Sequence, residues 1–310
     1  MNFSFGLTLF ILSIALIVII QRIFLKYQIT DKINDRSSHS VSATRSGGLA
    51  IFTSVFFFSI VNYINGNTLF DYSIIVPLAL LITVGCYDDI FRVDFKLKFI
   101  FQIIAAKMII DTGLLIDNFH GILGIFEINR LFAQLFTMFI IVSIINAINF
   151  IDGIDGLAIS VVTIFLILFE FLSISKTPFY NLSFSLVICL IPLYYFNFRN
   201  KNKVFLGDSG SHFLGGVISI LTIYCLSNSY VIMNDFDMHK IIFVFSILSY
   251  PIVDLLRVVF YRLRNGRSPF LADKNHIHHL LLKKNKSHKL TTIFISLMTI
   301  AIFILIQVLF

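Results

Sequence analysis

Four short polar clusters interrupt a chain that is otherwise apolar: Asp88-Asp89, the run NAINFIDGIDGL from Asn146 to Leu157, GDSGS from Gly207 to Ser211, and HIHH from His276 to His279. Two adjacent carboxylates hold a divalent cation, or one serves as a base while the other tunes it. In the second run Asn146, Asn149, Asp152 and Asp155 recur every three residues, so on a helix the first three share one face. Gly153 and Gly156 then end that helix and let backbone amides approach a ligand. Asp208 is a hard oxygen ligand suited to Mg²⁺, and Ser209 and Ser211 stand near a helix N-terminus, where free N–H groups favour anions. The segment GRSPFLADKNHIHH adds Arg267, Asp273, Lys274, His276, His278 and His279. A helix would put His276 and His279 on one face and turn His278 away, so the three are expected to converge only in a loop. No cysteine lies near them, and basic side chains closing over a diphosphate fit better than zinc. Phe205 is a candidate for stacking on a base.

The elements that position these groups follow from composition. Hydrophobic residues are 57% of the 310, charged ones 13%, and the mean hydropathy is +0.91. No soluble domain of this size needs so much apolar surface, and the short alternating strands of a β-barrel are absent. The expectation is an all-α polytopic membrane protein in one domain, 1–310. About ten spans are expected, at roughly 3–24, 47–64, 72–87, 99–116, 130–148, 157–175, 179–198, 212–228, 240–259 and 291–310. The first lacks a basic leader and a cleavage site and reads as a retained helix. Cys86, Cys189 and Cys225 suggest neither a disulfide framework nor a metal site.

Lys and Arg set the orientation. With ten alternating spans, only Lys107, Arg130, Lys176 and Lys240 of the 24 basic residues fall outside the segments that carry the four clusters. That asymmetry makes the clustered side cytoplasmic and both termini external, with an active face built from loops. Arg199, Lys201 and Lys203 beside GDSGS suit a polyanionic substrate, the rest topology and anionic lipid. Lys107 and Asp111, four apart in the fourth span, are expected to form an ion pair facing the bundle. A place on the path of a lipid phosphate is the alternative.

From DKINDRSSH through the Asp pair, NxxNFxDGxDGL, FLGDSGS, PIVDLLR and GRSPF to NHIHHLL, the chain resembles the polyprenyl-phosphate N-acetylhexosamine-1-phosphate transferases, glycosyltransferase family 4. The family includes lipid-carrier enzymes for O-antigen and teichoic acid and the phospho-N-acetylmuramoyl-pentapeptide translocase. The resemblance implies Mg²⁺-dependent transfer, with Mn²⁺ as a substitute, of a sugar 1-phosphate from a UDP-sugar to undecaprenyl phosphate at a bacterial inner membrane. UMP leaves. It implies Asp88 and Asp89 at the lipid phosphate, Asn149 and Asp208 as metal ligands with Asp152 close by, and Asp155 and Phe205 at the uracil. Lys96, Arg267, His276, His278 and His279 are implied at the phosphates and sugar, and Asn146 is grouped with the substrate-binding residues. No nucleic acid is expected as a partner, and a homodimer through an apolar helix face is allowed.

Two departures qualify the match. The family's PTPRGG-like stretch reads SATRSGG here, which puts contacts from that loop in question, and position 92 is Arg92 where a third acid sometimes stands. HIHH, rather than the HHH of the muropeptide translocases, leans towards the GlcNAc or modified-sugar branch, and RSSH towards derivatives such as 6-deoxy-N-acetylhexosamines. Three other readings compete: a muropeptide translocase, a secondary transporter and a non-catalytic scaffold. A transporter calls for midplane ionisable groups and repeat symmetry, and neither is visible. A scaffold would not need the complete set of acids.

Overall fold

The computed structural model describes residues 3–31, 43–121, 124–227, 230–232, 240–268 and 275–309. Among these residues twelve α-helices follow one another: α1 Phe3–Lys26, α2 Gly47–Ile64, α3 Ile75–Phe91, α4 Phe95–Asp111, α5 Arg130–Ile151, α6 Leu157–Phe171, α7 Tyr180–Asn197, α8 Gly207–Leu226, α9 Lys240–Ile247, α10 Ser249–Arg264, α11 Ile277–Asn285 and α12 His288–Leu309. A two-residue parallel pair joins β1 (Ala43–Thr44) to β2 (Lys203–Val204).

The protein is a polytopic helical membrane protein. Among the described residues seven helices are long and apolar enough to cross a bilayer alone, or eight if α9 and α10, bent by 77°, form one span. The expectation of about ten spans counted α4 and α6 as well. The helix α4 has 17 residues and carries Lys96, Lys98, Lys107 and Asp111, and α6 has 15. At 1.5 Å per residue these are roughly 23 to 26 Å long, against a bilayer core of about 30 Å, and α3, also 17 residues, reaches spanning length only with the 3-10 turn Tyr72–Ile74 that precedes it.

At the centre lies α8, packed against α3, α5, α2, α6 and α9. Its composition explains the place: Gly207, Ser209, Gly210, Ser211, Gly215, Gly216 and Ser219 strip one helix of bulk and admit neighbouring backbones, as small residues do between membrane helices. A Cβ on Gly48 of α2 would stand 2.0 Å from the Gly210 nitrogen, and one on Gly85 of α3 would stand 2.5 Å from the Ser209 Cα. A Cβ on Gly215 would meet the Ile145 Cα of α5 at 2.8 Å. The helices that carry Asp88 and Asp89, Asn146 and Asn149, and Asp208, namely α3, α5 and α8, are thus brought to backbone contact.

The Lys107–Asp111 ion pair forms, but it does not face the bundle. The two side chains are 47% and 59% exposed, on the last turn of α4. By helical rise this is about 14 Å from Lys98. At a helix end both heads reach water, which removes the cost that would have driven them inward.

Candidate active site

Helix ends build the site together with the connecting segments that carry Arg45, Asp152, Asp155, Lys203 and Phe205. Its helical elements are the C-terminal ends of α3 and α5, the N-terminal part of α10 and the N-terminal ends of α2, α4, α8, α11 and α12. Asp88 and Asp89 lie in the last turn of α3, Asn146 and Asn149 in the last turns of α5, and Asp208 in the first turn of α8. The helices run past their apolar stretches because these side chains satisfy helix termini. The Asp88 Oδ1 accepts from the Val93 N–H at 2.7 Å, while Arg92, at φ 54°, turns the chain out of α3. Asp89 accepts from the N–H groups of Asp208 and Ser209, each at 2.9 Å, capping α8 from another helix. Gly207, at φ +76°, makes that approach possible, since a Cβ there would lie 2.7 Å from the Asp89 Oδ2.

The adjacent carboxylates therefore do different work. Asp89 is committed to the start of α8 and lies 3.7 Å from Arg45. Asp88 faces Asp208 across a shared cation: the Lys98 Nζ sits 3.0 Å from the Asp88 Oδ2 and 2.9 Å from the Asp208 Oδ2. Asp152, just beyond α5, is half-buried, and burial with the charges of Asp208 and Asp89 holds its carboxyl well above the usual range. The Asn149 Nδ2 donates to the Ser211 Oγ at 2.8 Å, which leaves its side-chain oxygen as an acceptor. The Asn146 Nδ2 donates to the Gln102 Oε1 at 2.8 Å, and the Gln102 Nε2 meets the His212 Nε2 at 3.0 Å. This buried chain ties α4, α5 and α8 together beneath the carboxylates.

A second group lies beside the first. The Lys203 Nζ pairs with the Asp155 Oδ2 at 2.5 Å and stands 5.4 Å from the centre of the half-buried Phe205 ring. From α12, the His288 Nδ1 is 3.2 Å from the same Asp155 oxygen, and the Thr292 Oγ1 donates to the Asp155 carbonyl at 2.7 Å. Burial alone would raise the Asp155 carboxyl, but His288 and Lys203 outweigh it and hold it below the usual range.

The histidines converge although α11 is a helix. His276 is its N-cap, so the chain turns between His276 and His278, and the three ring centres lie 5.4, 6.5 and 4.3 Å apart. They pack on the DGIDG turn: a Cβ on Gly153 would meet the His278 Nε2 at 2.7 Å. The space that glycine opens is filled by the protein's own rings as well as offered to a ligand. Arg267 is exposed at the rim, and Asp273 and Lys274 lie outside the described residues.

Sequence reasoning passed over two cations. Lys96 is exposed and apart from the acids, whereas Lys98, two residues on, bridges them. Arg45 belongs to the loop whose contacts were in question, yet it reaches Asp31 at 3.1 Å as well as Asp89. Burial pulls its guanidinium down, but Asp31, Asp89 and Asp208 together hold it above its ordinary value. That loop is anchored by the β1–β2 pair and by the Gly47 and Gly48 N–H groups, which donate to the Phe205 and Leu206 carbonyls at 2.9 and 2.8 Å. The legible signal was helical spacing: Lys98 precedes Gln102 by one turn, and both face α8. Lys98→Met is expected to lower kcat/KM by about a hundredfold, the scale of removing one positioned charge, and Lys96→Met by less than about threefold. Nucleotide release by the two variants measures this, and the reverse order would return the role to Lys96.

Comparison with known proteins finds similarity along nearly the whole chain. Residues 72–226, which contain the Asp pair, the Asn/Asp run and GDSGS, match the glycosyl transferase family 4 profile. The chain is 34% identical over 295 residues to a probable undecaprenyl-phosphate N-acetylglucosaminyl 1-phosphate transferase of Bacillus subtilis, covering 93% of this chain and 80% of the relative. It is 32% identical to the undecaprenyl-phosphate alpha-N-acetylglucosaminyl 1-phosphate transferase of Pasteurella multocida, over 83% of this chain and 72% of that one. The enzyme of the same name in Escherichia coli K12 is 26% identical, over 94% and 79%. With a family profile over half of the chain and similarity to relatives along nearly all of it, this protein belongs to glycosyl transferase family 4.

Proposed function

We propose that this protein transfers N-acetylglucosamine 1-phosphate from UDP-N-acetylglucosamine to undecaprenyl phosphate. An oxygen of the lipid phosphate attacks the β-phosphorus of the donor. A new P–O bond forms to the lipid, the β-phosphorus–oxygen bond to the α-phosphate breaks, and UMP departs with the electron pair. The observation that carries this reading is the Asp88–Lys98–Asp208 bridge at the ends of membrane helices, where a lipid phosphate and a soluble nucleotide can meet. Phosphoryl transfer needs positioning and charge neutralisation more than covalent chemistry from the protein.

Within this reading Asp88 orients the lipid phosphate and Lys98 stays close to both reacting phosphates. Lys203, Asp155 and Phe205 hold the nucleotide, with the ring as stacking surface. Asp152 and the histidines border the diphosphate and sugar. The donor set fits Mg²⁺: two carboxylates already converge on one cationic position. Mg²⁺ takes few carboxylates and completes its shell with water and phosphate oxygens. Asp208, with Asp88 and the Asn149 carbonyl, would hold it, and when bound it would neutralise diphosphate charge. The concentration of Lys and Arg at this end of the bundle supports a cytoplasmic face.

The test is UMP release by purified protein with undecaprenyl phosphate and a panel of UDP-N-acetylhexosamines, with and without EDTA. UMP that requires the lipid, appears with UDP-N-acetylglucosamine and returns when Mg²⁺ or Mn²⁺ is restored is the expected result. Release from a different donor would reassign the sugar, and none from any donor would remove the transferase reading.

A further inference from the structure

A stripe on α10 grips the histidine segment. Tyr250, Asp254 and Arg257 are spaced i, i+4, i+7, so they share one helix face. Each takes part of NHIH. Arg257 donates to the Asn275 carbonyl, Asp254 receives the ring of His276 and the N–H of Ile277, and the Tyr250 hydroxyl meets the His278 Nδ1 at 3.0 Å. The centre of the cradle is Asp254, 1% exposed. Its Oδ2 lies 2.7 Å from the His276 Nδ1, and its Oδ1 accepts from Ile277 at 2.8 Å and from Arg257 at 3.2 Å. A buried carboxylate accepts and cannot donate, so the proton between the two groups resides on the His276 Nδ1. The opposite ring nitrogen, Nε2, is then the one left for a substrate. The ring is also set beside Phe150, 5.5 Å between centres, next in sequence to Asn149.

We propose that Asp254 is a positioning residue for the transfer reaction: it fixes the tautomer and orientation of His276, so that Nε2 engages the phosphate or sugar portion of the donor. This rests on the transferase reading above. A carboxylate behind an imidazole sets which nitrogen carries the proton, and disturbing such a partner costs about ten- to a hundredfold in related settings. Asparagine separates this role from simple packing. Its carbonyl can still serve the Ile277 N–H, but its NH₂ then faces His276. The Nδ1 must become the acceptor, and the neutral ring's proton moves to Nε2.

The experiment compares wild type, Asp254→Asn, His276→Ala and the double variant by UMP release, with kcat and KM for UDP-N-acetylglucosamine. Asp254→Asn is expected to lose about ten- to a hundredfold in kcat/KM in the wild-type background and less than about twofold on top of His276→Ala, since the coupling runs through one ring. Undiminished turnover by Asp254→Asn, or losses that multiply in the double variant, would overturn the proposal. In parallel, ¹⁵N-histidine NMR of the wild type, assigned with His276→Ala, reads the tautomer even if the asparagine variant does not fold. An Nδ1–H ring is expected, and an Nε2–H ring overturns the proposal. If the wild type itself releases no UMP, the transferase reading fails, which is distinct from an active wild type with an indifferent Asp254.

Discussion

Asp208→Asn is expected to lower kcat/KM by about a thousandfold while the protein still folds and extracts as the wild type does. The substitution keeps volume and shape. It removes one of the two charges that hold Lys98 between α3 and α8, and the carboxylate offered to a cation at the centre of the site. Losing a preorganised charge at a reacting centre typically costs about 10² to 10³ in rate, and here one change also releases Lys98. Asp89 still caps α8 through the backbone N–H groups of residues 208 and 209, so the helix start should survive. UMP release with a thermal melt in detergent separates the two effects. Turnover within tenfold of wild type would mean that the chemistry does not pass through Asp208.

Gly48→Ala is expected to fail in folding rather than in catalysis. The added methyl would sit 2.0 Å from the Gly210 nitrogen and 2.2 Å from its Cα, both backbone atoms that cannot rotate away. The helices α2 and α8 must part. Overpacking costs about 1–3 kcal/mol where side chains can yield, and a backbone-on-backbone clash belongs at the upper end or beyond. Gly6→Ala in α1 is the control: its methyl would meet the Ile188 Cδ1 at 3.3 Å and the Phe184 Cε1 at 3.9 Å, both side-chain atoms, and alanine is the better helix former. Size-exclusion profiles and melts of the two variants give the comparison. A Gly48→Ala protein as stable as wild type would show that the α2–α8 contact does not hold the bundle together.

Much of this was legible before the structure because membrane helices leave few polar residues, and each needs a reason. The helical class and the four clusters followed from composition and spacing, and of the three residues expected on one helix face Asn146 and Asn149 lie on α5, while Asp152 falls just past its end. What the sequence hid was which groups close on one another. Asp88 and Asp89 are neighbours in sequence, but a helix turns successive side chains about 100° apart, so one meets Lys98 and the other caps α8. The bridge by Lys98 depends on the crossing of α4 and α8, 110 residues apart, which no local spacing encodes. The cradle on α10 was partly readable as an i, i+4, i+7 stripe of Tyr250, Asp254 and Arg257 in an apolar helix, a signal that becomes specific only once α11 is placed beside it. The convergence of the histidines was misjudged because a helix start was treated as a helix interior: His276, as the cap, escapes the periodicity that binds the others.

The central claim is that the bond broken lies between the two phosphates of the donor. The direct measurement uses UDP-N-acetylglucosamine carrying ³²P in the β-phosphate, incubated with purified protein, undecaprenyl phosphate and Mg²⁺ and then partitioned between organic solvent and water. Transfer of sugar 1-phosphate predicts label in the organic phase, in step with unlabelled UMP in the water. Sugar appearing in the lipid while the label stays behind in UDP would contradict the account, because the protein would then be moving a sugar without its phosphate.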